Sequence, residues 1–155
     1  LKCIEDICSK NNIVIDIIAG PGYKKFNELK KYVNKFENMN ASHSTGVISQ
    51  YMQKADIAIS SNGRTVYELA QMNIPSIVIS HHDRELSHSF TAMNDGFISV
   101  GKYIQNKTEK KVIRSLSMLI EKKLYRKNLF NNLKKYRFNN KSTVVNLINK
   151  LINNE

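Results

Sequence analysis

The sequence predicts an α/β protein: a parallel sheet covered by helices, followed by a helical C-terminal extension. Three observations predict it. Short β-branched runs at residues 13–19, 56–60 and 76–80 alternate with amphipathic segments, the pattern of βαβ units. Beyond residue 101 the apolar residues recur only at helical spacing. The 155 residues, 41% apolar and 24% charged, support one core and exclude gross disorder.

The elements follow in order. Residues 1–11 form a helix with Ile4, Ile7 and Cys8 on one face. The run 13–19 (IVIDIIA) is a buried strand, broken by the turn Gly20-Pro21-Gly22. A Lys-rich helix covers 23–36, a weak strand 39–43 and a short helix 47–54. Residues 56–60 (DIAIS) are a strand. Residues 65–73 are a helix with Val66, Leu69 and Ala70 facing inward. Residues 76–80 (SIVIS) are the next strand, with Pro75 tolerated at its entrance. A helix over 85–94 and a short strand over 97–100 complete the body. Three helical stripes follow: Val112, Ile113, Leu116, Leu119 and Ile120; then Leu124, Leu129, Leu133 and Tyr136; then Val144, Leu147, Ile148 and Leu151. All three are expected to pack on the body, leaving their lysines in solvent.

Several function classes fall away on composition. Six Gly and two Pro exclude collagen-like chains. No apolar run approaches the roughly 18 residues of a membrane span, and no signal-peptide pattern is present. Cys3 and Cys8 are neither a CxxC pair nor half of a zinc site, so they are expected to be reduced thiols in a cytoplasmic protein.

Charge is uneven. Residues 1–101 carry ten Lys/Arg and ten Asp/Glu, while 102–155 carry fourteen Lys/Arg against three Glu, so the whole net charge of +11 lies in the last third. A basic helical end is compatible with contact to nucleic acid or an anionic membrane. It is equally what a biased composition gives, since Asn, Ile and Lys make up 56 of the 155 residues. Aromatic interleaving and a helix-turn-helix signature are absent, so nucleic acid is not expected as a partner. A non-enzymatic module binding nucleic acid or an anionic surface is the alternative to the enzymatic reading below.

In an open parallel sheet the loops at the carboxyl ends of the strands share one edge, where ligands bind. Four of these loops are polar or Gly-rich: Gly20-Pro21-Gly22; His43-Ser44-Thr45-Gly46; Ser60-Ser61-Asn62-Gly63-Arg64-Thr65; and His81-His82-Asp83-Arg84-Glu85. The third joins a strand to a helix, where backbone N–H groups and the helix dipole suit a phosphate and Arg64 adds a charge-assisted contact. It is neither a Walker loop nor GxGxxG. Thr65-Val66-Tyr67-Glu68 also matches a capping box, with Thr65 capping the helix and Glu68 reaching back to it; cap and ligand-binding carboxylate both remain open for Glu68. His81, His82, Asp83, Glu85 and His88 lack the spacing of a zinc site. They are expected to act as polar caps or as hydrogen-bonding partners of a sugar or phosphate, with no metal. His43 is expected to be an ordinary loop histidine.

Residues 55–101, with ADIAISSNGRTVYELAQMNIPSIVIS, then HHDRELSHSF, then DGFISVG, resemble the C-terminal nucleotide-binding domain of GT-B glycosyltransferase-like proteins. The nearest group contains the UDP-sugar hydrolase of pseudaminic acid synthesis and the spore-coat-polysaccharide glycosyltransferase-like proteins. Some of its members are fused to an acylneuraminate cytidylyltransferase. The peptidoglycan N-acetylglucosaminyltransferase is a more distant relative. The resemblance spans residues 1–101 and is most specific at 61–68 with the Pro75 strand. It implies a Rossmann-like sheet and no cofactor. It also implies binding of a nucleotide-sugar, UDP-linked, for glycosyl transfer or sugar-nucleotide hydrolysis in surface-glycan synthesis. Ser61, Asn62, Gly63, Arg64 and Thr65 would hold the diphosphate, Glu68 the ribose hydroxyls, and Gly20 and Gly22 would line the same edge. His82, Asp83, Glu85 and His88 would stand near the sugar, where relatives carry a Gln/Asn-containing loop. Residues 1–155 are then expected to be a single domain, an α/β body over 1–101 with a basic extension over 102–155. It would form one half of a two-domain enzyme whose N-terminal domain supplies the catalytic base.

Overall fold

The computed structural model describes residues 1–44, 46–93, 95–136 and 140–152. Thr45 in the second polar loop and Asn94 at the expected end of a helix lie outside the described residues, as does the side chain of Tyr136. The chain opens with a 3₁₀ turn at Lys2–Ile4 and runs α1 (Glu5–Lys10), β1 (Ile15–Ala19), α2 (Phe26–Val33), β2 (Met39–His43), α3 (Ile48–Lys54) and β3 (Ala58–Ser61). It continues through α4 (Thr65–Gln71), β4 (Ser76–Ser80), α5 (Asp83–Leu86), a 3₁₀ turn at Ser89–Thr91 and β5 (Phe97–Lys102). The extension is α6 (Lys107–Glu121), α7 (Lys123–Leu133), a 3₁₀ turn at Lys134–Tyr136, and α8 (Asn140–Ile152). The fold is α/β and Rossmann-like, with every strand pair parallel.

The sequence suggests one sheet with β1, β3 and β4 as neighbours. Instead there are two ladders, β1-β2 and β3-β4-β5. β3 and β4 are neighbours as expected, while among the described residues β1 bonds to β2 alone. A β-bulge on β5 opposite Val78 and Ile79 makes Val100 the extra residue, since Val78 pairs with Ser99 and Ile79 with Gly101. Gly101 takes φ +83°, a left-handed backbone that favours glycine.

The core has two layers, one on each face of β4. Ile77 points into a cluster with Ile4, Cys8, Val100, Val112, Leu116, Leu119 and Leu129. Its neighbour Val78 points into the other, with Met52, Val66, Leu69, Ala70, Ile74, Phe97 and Leu133. This is the two-residue period of a strand buried on both faces, as parallel sheets require. Burial also raises the pKa of the Cys8 thiol and so disfavours the reactive thiolate. Gly96 is needed for packing: a Cβ there would lie 2.2 Å from Leu133, which is fully buried. That contact seats α7 against the start of β5.

Two further expectations fail. The helix over 85–94 does not form; α5 ends at Leu86, and His88 is extended at φ −70°, ψ 101° before the next 3₁₀ turn. The bonds that hold His88 there come from Asn62, 26 residues away, and they outweigh local helix propensity. The third stripe of the extension does not pack. α6 and α7 bury Val112, Leu116, Leu119, Leu129 and Leu133, whereas on α8 Val144, Leu147, Ile148 and Leu151 are all exposed, Leu151 at 79%.

Candidate functional site

The carboxyl ends of β3, β4 and β5 bring the second half of the polar loops together around one residue. Asn62 follows β3 and is 3% exposed. Its Nδ2 donates to the carbonyls of Glu85 (2.6 Å) and His88 (3.2 Å), and its Oδ1 accepts from Thr91 Oγ1 (3.0 Å). Its backbone N–H donates to Ile79 (3.1 Å), and its carbonyl lies 2.8 Å from His88 Nδ1. A carbonyl can only accept, so His88 Nδ1 carries the proton and neutral His88 keeps its free lone pair on Nε2. Asn62 is therefore a brace between the 60s and 80s loops, with each side-chain hydrogen-bonding atom occupied internally. As a direct ligand of phosphate, the role the resemblance gives it, it would have to give up bonds that fix the loop.

Around this brace other side chains are left outward. Arg64 and Glu68 are exposed, and Ser61, Gly63 and Thr65 are half-buried. The capping box expected at Thr65 and Glu68 does not form. Arg64 takes the N-cap position of α4 without a side-chain cap, so Glu68 is held by no cap. A capping box does exist at Asn106 and Glu109, at the start of α6, where Glu109 accepts from the Asn106 N–H. Its sequence, Asn106-Lys107-Thr108-Glu109, carries the same spacing signal and was legible by the same rule. Gly63 is not imposed by packing, since a Cβ there would meet Ser61 Oγ at 3.5 Å and Glu85 Oε1 at 4.0 Å, ordinary contacts.

The 80s loop is tied to its own surroundings. Glu85 Oε2 accepts from the His81 N–H (2.8 Å). His82 is exposed at the N-cap of α5. Asp83 pairs with Lys102 at 2.7 Å, and that hydrogen bond and charge hold its carboxyl below the usual carboxylate range. Ser80 Oγ, at the end of β4, is buried with no hydrogen-bond partner among the described residues. Among the described residues no group of three His, Cys, Asp or Glu side chains is placed to hold a metal ion.

Aromatic rings line one flank. Tyr67, on α4 beside Glu68, packs on Phe90 at 4.6 Å between centroids, and Phe90 meets Phe97 at 5.9 Å. Tyr67 is 52% exposed, so the series runs from the surface into the core. Sequence reasoning missed it, because Tyr67 and Phe90 are joined only by the fold. On the other ladder, Phe26 stacks on His43 at 4.6 Å and 16°. Gly20 and Gly22 are exposed at the end of β1, with nothing within 4 Å of a Cβ at either. The structure thus gathers residues 61–68 with 81–91, and it leaves Gly20 and Gly22 on the β1-β2 ladder, joined to them by no hydrogen bond among the described residues.

The family model described as "Glycosyltransferase family 28 C-terminal domain" matches residues 1–147. No curated protein and no solved structure matches the chain.

Proposed function

Because the chain belongs to the glycosyltransferase family 28 C-terminal domain family, a nucleotide-sugar-binding glycosyltransferase domain, we propose that it holds a UDP-linked sugar at the carboxyl edge of β3 and β4. In this reading the diphosphate lies against residues 61–65, with Arg64 supplying charge-assisted bonds. Glu68 accepts from the ribose hydroxyls. His82, Glu85 and His88 stand toward the sugar, with His88 Nε2 as an acceptor. Asn62 positions the two loops and does not itself touch the ligand.

The observation that supports this most directly is the contrast between Asn62 and Glu68. The buried amide is bonded on every side, whereas the carboxylate six residues on is exposed and caps nothing. A carboxylate with no hydrogen bond among the described residues, beside a Gly-containing loop, suits a pair of vicinal hydroxyls, because an ionised acceptor makes the stronger hydrogen bonds. In glycosyl transfer the departing nucleoside diphosphate gains negative charge, and a cation held at the phosphates stabilises that charge. Arg64 has that role here. No described side chain of this domain is set up as a nucleophile or general base. The base and the acceptor site are assigned to a second, N-terminal domain that closes over the cleft and excludes water. The choice between a sugar acceptor and water, and so between transferase and hydrolase, rests with that domain. Surface-glycan synthesis is the proposed setting.

Isothermal titration of the full-length protein with UDP, CMP, GDP and TDP, and then with the corresponding sugars, tests the reading. Binding of UDP and UDP-sugars that weakens in Glu68→Gln is expected. Equal or absent binding of all four nucleotides would overturn it.

A further inference from the structure

Thr91 lies in the 3₁₀ turn Ser89–Thr91, beyond the loop that Asn62 braces, and it is 3% exposed. Its hydroxyl donates to Asn62 Oδ1 at 3.0 Å. The turn itself is closed by the Ala92 and Met93 N–H groups, which donate to the Ser89 carbonyl at 3.0 and 2.9 Å. Asn62, the 80s loop, the turn and Thr91 therefore form one hydrogen-bonded ring. None of the four polar loops contains Thr91, and its burial hides it from any reading of surface chemistry.

Hydrogen-bond bookkeeping gives that hydroxyl a specific task. The two ends of a primary amide have nearly the same shape, so partners set its orientation. The Glu85 and His88 carbonyls can only accept, and Asn62 Nδ2 supplies their donors. Oδ1 then needs a donor of its own, and among the described residues Thr91 Oγ1 provides it. Asn62 is buried, so an Oδ1 deprived of Thr91 bears its full desolvation cost. The amide relieves that cost by turning outward, which gives up both carbonyl bonds to the 80s loop.

His88 depends on the same ring. Its Nδ1 lies 2.8 Å from the Asn62 carbonyl, its carbonyl accepts from Asn62 Nδ2, and its N–H donates to the Glu85 carbonyl at 3.1 Å. A neutral imidazole carries its proton on the nitrogen that its hydrogen bonds select. With Nδ1–H held by Asn62, Nε2 is an acceptor. Once the ring opens, the proton can sit on either nitrogen, and Nε2 is a donor in part of the molecules. One buried hydroxyl thereby sets the hydrogen-bonding sense of an atom on a half-buried side chain at the carboxyl edge.

We propose that Thr91 is a positioning residue for the sugar of the donor: through Asn62 it keeps His88 Nε2 an acceptor, matched to a hydroxyl or amide N–H on the sugar. The proposal rests on the donor-binding reading above. The 61–68 segment has anchors outside the ring, since the Asn62 N–H donates to Ile79 at 3.1 Å and the Tyr67 N–H to Arg64 at 3.0 Å. Thr91 therefore acts on the choice of sugar and leaves nucleotide binding nearly untouched.

The test compares the full-length parent with Thr91→Val, which puts a methyl in place of the hydroxyl, and Thr91→Ser, which keeps the hydroxyl. Imidazole nitrogen shifts of ligand-free protein report the His88 tautomer. Titration with UDP, UDP-glucose, UDP-galactose and their N-acetylated counterparts reports sugar preference. The parent and Thr91→Ser should show Nδ1–H alone and prefer at least one UDP-sugar over UDP. Thr91→Val should show mixed tautomers and lose about tenfold of that preference, the worth of one hydrogen bond, with UDP affinity within about threefold of the parent. An unchanged tautomer, an unchanged preference, or equal losses for UDP and UDP-sugar would each overturn the proposal. So would a parent that binds UDP and every UDP-sugar alike. A parent that binds no UDP would sink the donor-binding reading, and the ligand-free tautomer separates that failure from failure of the ring. Should Thr91→Val not fold, the parent decides: a Thr91 hydroxyl proton that exchanges freely with water would overturn the proposal, and one visible by NMR and close to the Asn62 side chain supports it.

Discussion

Asn62 grips His88 from two directions: its Nδ2 donates to the His88 carbonyl at 3.2 Å, and its own carbonyl accepts from His88 Nδ1 at 2.8 Å. The pair fixes the imidazole tautomer and stops a helix at the same time. Asn62→Ala should cost about 1–3 kcal/mol, the penalty for leaving buried partners unsatisfied. Asn62→Asp should cost no less, because it turns a donor toward two carbonyls into an acceptor. Urea unfolding measures the loss, and the His88 imidazole nitrogen shifts by NMR report the tautomer. A variant as stable as the parent would mean that the loop repacks without the brace.

Glu68→Gln isolates the charge of a side chain that caps nothing. Stability should change by less than about 0.5 kcal/mol, as for other surface substitutions. UDP affinity in the full-length protein should fall by about 1.5–3 kcal/mol, the worth of hydrogen bonds to a charged group, or about ten- to a hundredfold. A destabilised fold with unchanged affinity would return Glu68 to a structural role.

Gly96→Ala drives a methyl to 2.2 Å from Leu133. Leu133 is fully buried and α7 must shift to make room, so a loss of about 1–3 kcal/mol is expected from overpacking. The double variant Gly96→Ala, Leu133→Ala should recover part of the overpacking cost, a non-additivity that a double-mutant cycle by thermal unfolding would reveal.

Ser80→Ala removes a buried hydroxyl that has no hydrogen-bond partner among the described residues. Stability should stay level or rise, since deleting an unsatisfied buried polar atom relieves its desolvation cost. A clear drop in melting temperature would show that a bound water satisfies Ser80 Oγ in solution.

Lys102 holds the Asp83 carboxyl below its usual value, first by hydrogen bond and then by charge. A lowered folded-state pKa contributes stability that is present above the unfolded carboxylate pKa and is lost as pH falls through the folded value. Both side chains are exposed, so the effect on unfolding should be small and screened by salt. Carbon-13 NMR titration should place the Asp83 midpoint below that of a free aspartate, and Lys102→Met should return it toward the ordinary value.

Local pattern and long-range structure divided the sequence reading between them. The runs at 13–19 and 76–80 mark strands because β-branched residues bury well on a pleated surface, and even the weak 39–43 segment is β2 as expected. The polar loops lie at the carboxyl ends of their strands because parallel strands leave no other arrangement. What failed depended on distant partners. Residues 85–94 have helical spacing, but Asn62 reaches them from the β3 loop. The Thr65-x-x-Glu68 spacing fits a cap, but α4 takes Arg64 at its N-cap. The stripe on α8 announces an apolar face and carries no information about what that face meets. The split between β1 and β3 is a property of strand order, which hydropathy does not encode.

The Tyr67–Phe90–Phe97 series gives the protein a built-in optical reporter. The chain has seven tyrosines and no tryptophan, so tyrosine emission is not drained by energy transfer to an indole. Tyr67 sits next to Glu68 with its ring against Phe90 at 4.6 Å. A ligand that engages Glu68 changes the solvent exposure and polarity around that ring, and absorbance or emission near 67 follows without any label. Tyr67→Phe silences that one contribution while keeping the ring-on-ring contact, and so separates the local signal from the other six tyrosines.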